Sequence, residues 1–385
     1  MMKCKSLTGL VFSVLIVGAM AQAAPQEMFN GKDLTGWTPI GGGKWTTEKG
    51  EIVGKTGDGA YGWLLSDKDY ANFIMEFDVK TEDKGNSGLQ IRSHVVDGVM
   101  HGYQVEIDPT VGKHSGGIYD EHGRGWLAQP TADGEKAWNP TGWNHYRVEA
   151  IDETMKVFVN GKQIVEVEDD NARSGVIALQ VHSGENPPVH VRFKNIKIDD
   201  RGLGEGWTPL FDGKTLNGWN NIGVEEWSVV DGAILGKAVT DAYGYLATEK
   251  TFKDVEVSVY YLAESSGNSG LFYHSTFKGV DVSGVQAEID PNPGNHTGGL
   301  YESAGRGWLV QPNELAEKVI KPIGQWNHLL LKVKGKHIQT WTNGLKSVDY
   351  INETPKYFDG VVALQLHSGG AAGVRFKGLQ YRIPE

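Results

Sequence analysis

The sequence predicts an all-β protein built from two tandem β-sandwich domains. Three observations predict this architecture: strand-like segments separated by tight turns, a composition rich in glycine and aromatic residues, and a long internal repeat. The chain has 52 glycines, 12 tryptophans and 14 tyrosines among 385 residues. Such a composition is typical of many short strands joined by turns. Two packed antiparallel sheets are therefore expected in each half of the chain.

The internal repeat shows how the chain is divided. The segment that begins at Phe29 recurs at Phe211, 182 residues later, and this offset drifts by one to three residues towards the C-terminus. The clearest matches are 29–37 with 211–219, 85–89 with 267–271, 106–109 with 288–291, 123–126 with 305–308 and 178–184 with 363–369. A period of this length is a whole domain. We predict a first domain at 26–199 and a second at 205–385, joined by a short glycine-rich hinge.

Strand and turn signals occur in both repeats. Residues 73–79 partly alternate apolar and polar side chains, as a half-buried strand does. Asn160-Gly161 and Asn343-Gly344 stand between strand-like segments, which is a strong signal for a β-hairpin. One helical turn is predicted, from Asn313 to Val319.

The N-terminus has the parts of a secretory signal peptide, predicted at residues 1–23. Two lysines precede an apolar stretch over residues 7–20, and residues 21–23 (Ala-Gln-Ala) form a small-residue cleavage site. The apolar stretch is short for a membrane span, and we expect no span in the mature chain. The single cysteine, Cys4, lies within the signal, so the mature chain has no disulfide and no thiol chemistry. The mature protein is expected to be exported, either periplasmic or secreted.

Charge and motifs narrow the functional class. The formal net charge is −11, and no run of Lys or Arg exceeds two residues, so nucleic acid is not an expected partner. We find no phosphate-binding loop, no dinucleotide-binding glycine pattern, no His-Glu-x-x-His motif and no nucleophile elbow. Candidate chemistry is therefore sought among the polar residues that recur between the repeats.

The most informative segment is a strand-like stretch with polar residues at alternate positions. Because alternate side chains point to opposite faces, Gln104, Glu106 and Asp108 share one face, while Val105 and Ile107 face the core. The two carboxyl groups then lie about 7 Å apart along the strand. Like charges that close raise the pKa of one group, so one carboxyl can act as an acid while the other acts as a base or metal ligand.

Further polar and aromatic side chains are expected on this face or on glycine-rich segments that fold over it. In the first repeat they are Gln90, Arg92, His114, Tyr119, Arg124, Trp126, Gln129, Gln180 and His182. The second repeat has Gln286, Glu288, Asp290, His274, His296, Tyr301, Arg306, Trp308, Gln311, Gln365 and His367. Carboxylates, imidazoles, amides and a guanidinium beside flat aromatic rings suit a polyhydroxylated ligand, so carbohydrate is the expected partner.

Each of these residues also has a purely structural interpretation. A polar strand face is usually solvated, an arginine can serve in an ion pair, and a buried hydrogen-bond network also preserves polar residues. Recurrence of the whole set favours function, because solvated positions drift between copies. We expect Asp97, Lys113 and Glu135 to be such solvated neighbours without a role.

The repeats also differ at several polar positions. Arg92 corresponds to His274, and residues 120–122 (Asp-Glu-His) correspond to 302–304 (Glu-Ser-Ala). Two interpretations follow: the sites differ in specificity, or one alone is catalytic, in which case the first repeat is favoured.

Five recurring motifs together resemble the 3-keto-disaccharide hydrolase domain family. They are Phe-Asn/Asp-Gly-Lys-x-Leu-x-Gly-Trp, Gly-Asn-Ser-Gly-Leu, Gln-x-Glu-Ile-Asp, Gly-Gly-x-Tyr, and Ala-Leu-Gln-x-His-Ser-Gly followed by Val-Arg-Phe-Lys. The resemblance covers nearly all of the predicted mature chain, in two copies. It implies concanavalin A-like jelly-roll β-sandwiches and an exported hydrolase that acts on glycosides already oxidised at C3.

The resemblance also implies a mechanism, in which a base removes the acidified C2 proton, an acid assists the leaving oxygen, and water adds afterwards. For the first copy the implied assignments are Glu106 or His182 as base, Asp108 or His114 as acid, and Arg124 or Arg92 at the enolate oxygen. The corresponding residues of the second copy are Glu288, His367, Asp290, His296 and Arg306. No cofactor is certain, and a divalent metal held by carboxylate and imidazole is the alternative to the arginine.

Two other functions remain open on the sequence alone. The first is a non-catalytic carbohydrate-binding protein, since the implied fold hosts many lectins. The second is an ordinary glycosidase that uses Glu106 and Asp108 as its carboxylate pair. The second is less favoured, because two carboxyl groups on one strand must also lie across a sugar ring.

Overall fold

The computed structural model describes residues 24–56, 61–82, 85–110, 112–182, 189–292, 294, 296–370 and 372–384. The predicted signal peptide lies outside this part of the chain. Within it, the protein consists of four antiparallel sheets arranged as two jelly-roll β-sandwiches. The all-β prediction is therefore confirmed.

In the described ranges, the first domain contains fifteen strands and one short helix. In chain order they are β1 (Gln26–Glu27), β2 (Trp37–Gly41), β3 (Lys44–Glu48), β4 (Glu51–Lys55), β5 (Gly62–Tyr70), β6 (Asn72–Thr81), β7 (Ser87–Val96), β8 (Val99–Ile107), β9 (Ile118–Glu121), β10 (Gly125–Ala128), α1 (Ala132–Glu135), β11 (Asn144–Ile151), β12 (Thr154–Val159), β13 (Lys162–Glu168), β14 (Gly175–Val181) and β15 (His190–Gly202). Sheet A has the order β13-β12-β11-β6-β15-β4-β3, with β1 paired to β15. Sheet B has the order β10-β9-β8-β7-β14-β5-β2.

The second domain repeats this arrangement. In chain order it contains β16 (Thr208–Pro209), β17 (Trp219–Ile222), β18 (Glu226–Val230), β19 (Ala233–Lys237), β20 (Gly244–Phe252), β21 (Val255–Ala263), β22 (Ser269–Lys278), β23 (Asp281–Ile289), β24 (Leu300–Ser303), β25 (Gly307–Val310), α2 (Glu314–Lys318), β26 (Asn327–Lys334), β27 (His337–Thr342), β28 (Leu345–Ile351), β29 (Gly360–Leu366) and β30 (Gly373–Arg382). Sheet C has the order β18-β19-β30-β21-β26-β27-β28, with β16 on β30, and sheet D has the order β17-β20-β29-β22-β23-β24-β25.

Side-chain alternation explains how the sheets enclose their core. In β6, four alternate side chains are fully buried: Phe73, Met75, Phe77 and Val79. The side chains between them, Ile74, Glu76 and Asp78, are only partly buried. The ring of Phe77 stacks on Tyr146 of β11, with 5.2 Å between the ring centroids. Alternation places one row of each strand in the core and leaves the opposite face of sheets B and D for other contacts.

The predicted turns are confirmed. Asn160 and Gly161 both have positive φ, 48° and 82°, as do Asn343 and Gly344, 47° and 93°. Two consecutive positive φ angles define the type I′ hairpin turn, which these residue types accept at low cost. The predicted helical turn is α2, whose N-cap is the side chain of Asn313. Its counterpart α1 was not predicted, because four residues that include glycine show no helical periodicity.

The domains dock through the β27–β28 hairpin of the second domain. The Arg173 amide donates to Gly344 O at 2.7 Å, and Trp341 Nε1 donates to Asp170 O at 2.6 Å. The guanidinium of Arg173 lies 5.5 Å from the Trp341 ring centroid, and Lys332 pairs with Glu153 at 2.6 Å. Trp341 is fully buried, so the indole is a central part of this interface.

We predict that Trp341→Ala lowers the free energy of unfolding by about 3–5 kcal/mol, because it removes a fully buried indole and leaves a cavity. Phe158, at the equivalent place in the first domain, is only partly buried. Phe158→Ala is therefore the matched control and should cost less. Urea unfolding of the full chain measures both values; equal losses would contradict a central role of Trp341.

Candidate functional site

A row of polar side chains lies on the face of sheet B that points away from the core. Gln104, Glu106 and Asp108 share this face, while Val105 and Ile107 are buried in the core, as predicted. The row is not solvated: Glu106 is only 5% exposed. The second domain places Gln286, Glu288 and Asp290 at the same positions on and beside β23 of sheet D.

Amide donors compensate the buried Glu106 carboxylate. Gln104 Nε2 donates to Glu106 Oε2 at 3.0 Å, and Asn86 Nδ2 donates to Glu106 Oε1. Gln104 Oε1 in turn accepts from both Gln90 Nε2 and Gln180 Nε2, each at 2.8 Å. Gln90 and Gln180 thus support Gln104, which donates to one carboxylate oxygen, and Asn86 donates separately to the other.

Gly88 explains why this chain fits on the sheet. A Cβ atom at Gly88 would lie 2.6 Å from the side chain of Gln104, so only glycine leaves room for it. The same relation holds between Gly270 and Gln286, at 2.7 Å. Recurrence of these glycines is thus linked directly to the polar row.

The second copy keeps the donors to its carboxylate but not the wider network. Asn268 Nδ2 and Gln286 Nε2 both donate to the carboxylate of Glu288. Phe272 stands where the first copy has Gln90, and its ring packs against Tyr245. The two carboxylate contacts are therefore the part of the network that both copies share.

Burial sets the protonation of these carboxyl groups. Burial raises the pKa of Glu106 to about 7, because removal from water disfavours the charged form. The hydrogen bonds from Gln104 and Asn86 lower this pKa, and the negative charge of Asp108 raises it further. Burial likewise raises the pKa of Glu288 to about 7. The predicted repulsion between the two carboxylates of the row does raise the pKa of each glutamate, but burial raises it more. Each carboxyl can therefore exchange a proton near neutral pH.

A histidine oriented by a second glutamate lies at each site. His114 Nδ1 is 3.1 Å from Glu135 Oε1, and His296 Nδ1 is 3.1 Å from Glu317 Oε1. A carboxylate only accepts hydrogen bonds, so Nδ1 holds the proton and Nε2 is the nitrogen left for other contacts.

Aromatic rings complete the walls. His114 contacts Trp126 edge to face, and Trp126 contacts Tyr119 in the same way, with centroids 5.0 and 5.2 Å apart. On the other side, Tyr61 OH lies 3.0 Å from His182 Nε2. The second copy has the equivalent contacts of Trp308 with His296 and Tyr301, and of Tyr243 with His367.

In the second copy these residues line a cavity of about 710 Å³. The predicted residues on its walls are Gln286, Glu288, Asp290, His296, Tyr301, Trp308, Gln365 and His367. Their counterparts in the first copy are Gln104, Glu106, Asp108, His114, Tyr119, Trp126, Gln180 and His182, on matching strand positions.

Four buried amide oxygens have no donor among the described residues. They are Asn86 Oδ1 and Gln180 Oε1 in the first copy and Asn268 Oδ1 and Gln365 Oε1 in the second. Asn268 and Gln365 lie on the cavity wall. An unsatisfied buried acceptor is costly, and these four oxygens occupy the same two places in both copies.

The structure does not bring Arg92 or His274 to the sites, contrary to the prediction. Both residues have positive φ at an irregularity of their strand, which interrupts the alternation on which the prediction depended. Arg92 is fully buried and donates to Ala71 O, Asp152 O and Asn72 Oδ1. Burial and these bonds make it structural.

Arg124 and Arg306 are ion-pair residues. Arg124 donates to Asp120 at 2.6 Å and to both carboxylate oxygens of Asp169. Arg306 pairs with Glu302 at 2.6 Å and is not on the wall of the second cavity. These bonds occupy the guanidinium groups, which corrects their placement at an enolate oxygen. Gln129 and Gln311 are exposed, and Gln311 is likewise not among the residues that line the cavity.

Sequence analysis missed three pairs of site residues. Glu135 is not a solvated neighbour, since it holds His114, and Glu317 stands 182 residues later in the same role. That recurrence was the signal that could have revealed it. The other pairs are Asn86 with Asn268 and Tyr61 with Tyr243, all within recurring segments.

In the described ranges, no group of three or more His, Asp or Glu side chains is arranged to hold a metal ion. No helix in the same part of the chain is long and apolar enough to cross a bilayer.

The raised pKa values predict how stability depends on pH. Glu106 and Glu288 have a pKa of about 7 in the folded protein, against 4.5 for an exposed glutamate, so the folded state binds more protons between these two pH values. Their contribution to the free energy of unfolding is therefore full below pH 4.5 and falls as pH rises through 7. In the wild-type chain, this decrease in the free energy of unfolding amounts to roughly 3 kcal/mol per carboxyl. We expect the decrease to be absent from the Glu106→Gln/Glu288→Gln chain, which has no carboxyl to titrate at either position. Urea unfolding from pH 4.5 to 8 checks it, and superimposable pH profiles of the two chains would refute it.

Part of the chain is 25% identical to a 3-keto-disaccharide hydrolase of Bacteroides thetaiotaomicron over 153 residues, which are 34% of this chain and 53% of that protein. The chain thus matches about half the length of this curated relative.

Solved structures with a similar fold include a candidate glycosyl hydrolase from Parabacteroides distasonis, which is 21% identical and covers 47% of this chain and 95% of its own, with a TM-score of 0.38. Another is the carbohydrate-binding module CBM66 from Bacillus subtilis, which is 14% identical, with a TM-score of 0.35. The match covers 43% of this chain and 95% of the module. The 3-keto-alpha-glucoside-1,2-lyase-like domain matches residues 24–199 and again residues 206–382. The chain therefore belongs to this domain family and contains two copies of the domain.

Proposed function

We propose that this protein is an exported hydrolase that cleaves 3-keto-glycosides by elimination and hydration. One observation supports it above the others: each copy has a buried glutamate with a pKa of about 7 on the wall of a polar and aromatic site. A carboxyl group that exchanges its proton near neutral pH suits removal of a proton made acidic by an adjacent ketone. The N-terminal sequence supports the export.

In the proposed reaction, Glu106 removes the C2 proton of the sugar. The C2–H electron pair forms the enolate with the C3 ketone, and collapse of the enolate breaks the C1–O bond. The leaving oxygen takes a proton from the acid. Water then adds across the C1–C2 double bond, with its hydroxyl on C1 and its proton on C2, so that the net change is hydrolysis.

We assign the acid to His114, which Glu135 orients through Nδ1. With Arg92 and Arg124 bonded elsewhere, we assign the enolate oxygen to the Tyr61–His182 pair, whose hydroxyl and ring nitrogen lie 3.0 Å apart. When His182 Nε2 donates to the Tyr61 oxygen, the tyrosine hydroxyl keeps its own proton for the enolate oxygen. A fixed donor at a developing negative charge lowers the barrier without reorganisation. The corresponding groups of the second copy are Glu288, His296, Glu317, Tyr243 and His367.

Sugar recognition is assigned to the aromatic rings of the site. Trp126, 37% exposed, offers an apolar edge or face to a sugar ring. These groups would also suit a non-catalytic sugar-binding protein, so turnover is the decisive measurement.

We predict release of a chromogenic aglycone from a 3-keto-glucoside and none from the unoxidised glucoside. Glu106→Gln/Glu288→Gln should lower kcat/KM at least about 100-fold, because the base is lost in both sites. Exposed Glu226 on edge strand β18 offers the control, and Glu226→Gln should leave turnover unchanged.

Equal release from the oxidised and unoxidised glucosides would favour an ordinary glycosidase. No release, together with saturable sugar binding by calorimetry, would favour the carbohydrate-binding alternative. Unchanged turnover in the double variant would remove Glu106 and Glu288 from the mechanism.

Glu135 and Glu317 act through their histidines and are positioning residues. We predict that Glu135→Ala/Glu317→Ala lowers kcat about 10- to 100-fold with KM unchanged, because the imidazole loses its orientation but contacts to the ground-state sugar remain. Glu135→Gln/Glu317→Gln keeps an acceptor for Nδ1 and should lose less. Steady-state kinetics measure the split, and a rise in KM at constant kcat would contradict this role.

A further inference from the structure

The order of the strands places the assigned base of the second copy between the other assigned groups. Glu288 lies on β23, and β22 separates this strand from β29, whose last residue precedes His367. On the other side, His296 follows β23 and contacts Trp308 of β25 edge to face, with 5.2 Å between the ring centroids. The Tyr243–His367 pair and the imidazole of His296 therefore lie on opposite sides of the glutamate.

This order determines how a sugar is oriented in the proposed reaction. C2 is bonded to both C1 and C3, so a sugar with C2 over Glu288 and C3 at the Tyr243–His367 pair has C1 on the side of His296. The oxygen that leaves from C1 then lies beside the histidine assigned as the acid. The group attached to that oxygen extends past His296, away from Tyr243 and His367.

A groove of about 620 Å³ adjoins the cavity at His296. It lies between the segment that follows β23 and the segment formed by α2 and the residues after it. Of the described residues, Asp290 and His296 line both the groove and the cavity, whereas Tyr243 and His367 line the cavity alone. A molecule that extends from the cavity past His296 therefore enters the groove.

Four apolar residues line the groove: Pro291, Ile320, Pro322 and Ile323. Ile323 is 44% exposed, so much of its side chain contacts solvent. Covering such a side chain is favourable, because apolar area is removed from water. The first copy has Thr141 at the position of Ile323, so the apolar surface is a feature of the second copy at this point.

The two lysines of the groove pair with carboxylates of the first domain. Lys318 lies 3.1 Å from Asp97, and Lys321 lies 3.8 Å from Asp69. Lys318 also pairs with Glu314 of its own helix at 2.9 Å. The charged groups around the groove are thus engaged with one another.

The polar groups nearest His296 are engaged as well. Glu317 accepts from His296 Nδ1, and Asp290 accepts from Asn268 Nδ2 at 3.2 Å. The backbone amide and the side chain of Asn292 also donate to Asp290, at 2.9 and 2.7 Å. A leaving group with hydroxyls must compete with these contacts, whereas an apolar group only has to cover the apolar side chains. The contacts therefore favour an apolar leaving group.

We infer that this groove binds the leaving group of the substrate, and that the second copy acts on 3-keto-glycosides with an apolar aglycone. The inference rests on the proposed function, since the leaving group is located from the roles of Glu288, His296 and the Tyr243–His367 pair. It adds a second binding region to the site, beyond the one that holds the oxidised sugar.

The test uses the full chain with Glu106→Gln, which disables the first site. In this chain, Ile323→Asp should lower kcat/KM for naphthyl 3-keto-glucoside at least about tenfold, because a carboxylate replaces an apolar contact. The value for methyl 3-keto-glucoside should change less than about twofold, since a methyl group is too small to fill the groove. No loss, or equal losses for the two substrates, would overturn the inference, because a structural effect does not discriminate between leaving groups.

Two control variants and a third substrate sharpen the result. Ile323→Leu keeps an apolar side chain and should retain turnover of the naphthyl substrate. Thr141→Asp places the same carboxylate at the equivalent position of the disabled first site and should change neither rate; a loss equal to that of Ile323→Asp would contradict the location. An equal loss with a 3-keto-disaccharide would contradict the apolar class of the aglycone.

Failure of the proposed function gives a separate result. If the unmodified chain releases no aglycone from any of these substrates, the hydrolase proposal falls. Calorimetric binding of naphthyl glucoside and methyl glucoside then decides whether the groove is an apolar subsite. Binding of naphthyl glucoside that is at least about tenfold tighter, and that Ile323→Asp abolishes, supports the subsite, and equal affinities overturn it.

Discussion

The contact between a buried carboxyl group and two amide donors is the constraint around which each site is built. A carboxylate removed from water loses most of its hydration, and hydrogen bonds from Asn86 and Gln104 return part of that stabilisation to Glu106. Gln104 can reach the carboxylate only because Gly88 has no side chain. The second domain preserves both donors and the glycine although Phe272 has replaced Gln90. Burial therefore raises the proton affinity of the glutamate, and the two amide donors that the sheet positions limit that rise.

Much of this arrangement could be predicted from the sequence, because it depends on local rules. The strands and the two Asn-Gly hairpins follow from alternation and from residues that accept positive φ. The shared face of Gln104, Glu106 and Asp108 follows from the same alternation. The internal repeat gave further information, because comparison of the two copies identifies the polar residues that recur at equivalent positions.

The remainder depends on contacts between distant segments. The prediction placed Arg92 on the wrong face, because its positive φ interrupts the alternation of the strand. No residue type in this segment signals a positive φ from sequence. The role of Glu135 requires the distance to His114, 21 residues away along the chain, which only the fold provides. The origin of the raised pKa of Glu106 was also beyond sequence reasoning: neighbouring charge can be counted along a strand, but burial by loops from elsewhere cannot.

The two domains dock asymmetrically, through a surface that each domain uses differently. The turn at Asn343-Gly344 is buried against the first domain, whereas the equivalent turn at Asn160-Gly161 is exposed. The contact thus joins two different surfaces of the same kind of domain, head to tail, and such a contact is not closed by symmetry. The two copies are therefore arranged head to tail. The first copy still exposes its Asn160-Gly161 hairpin, which is equivalent to the hairpin that the second copy uses for docking.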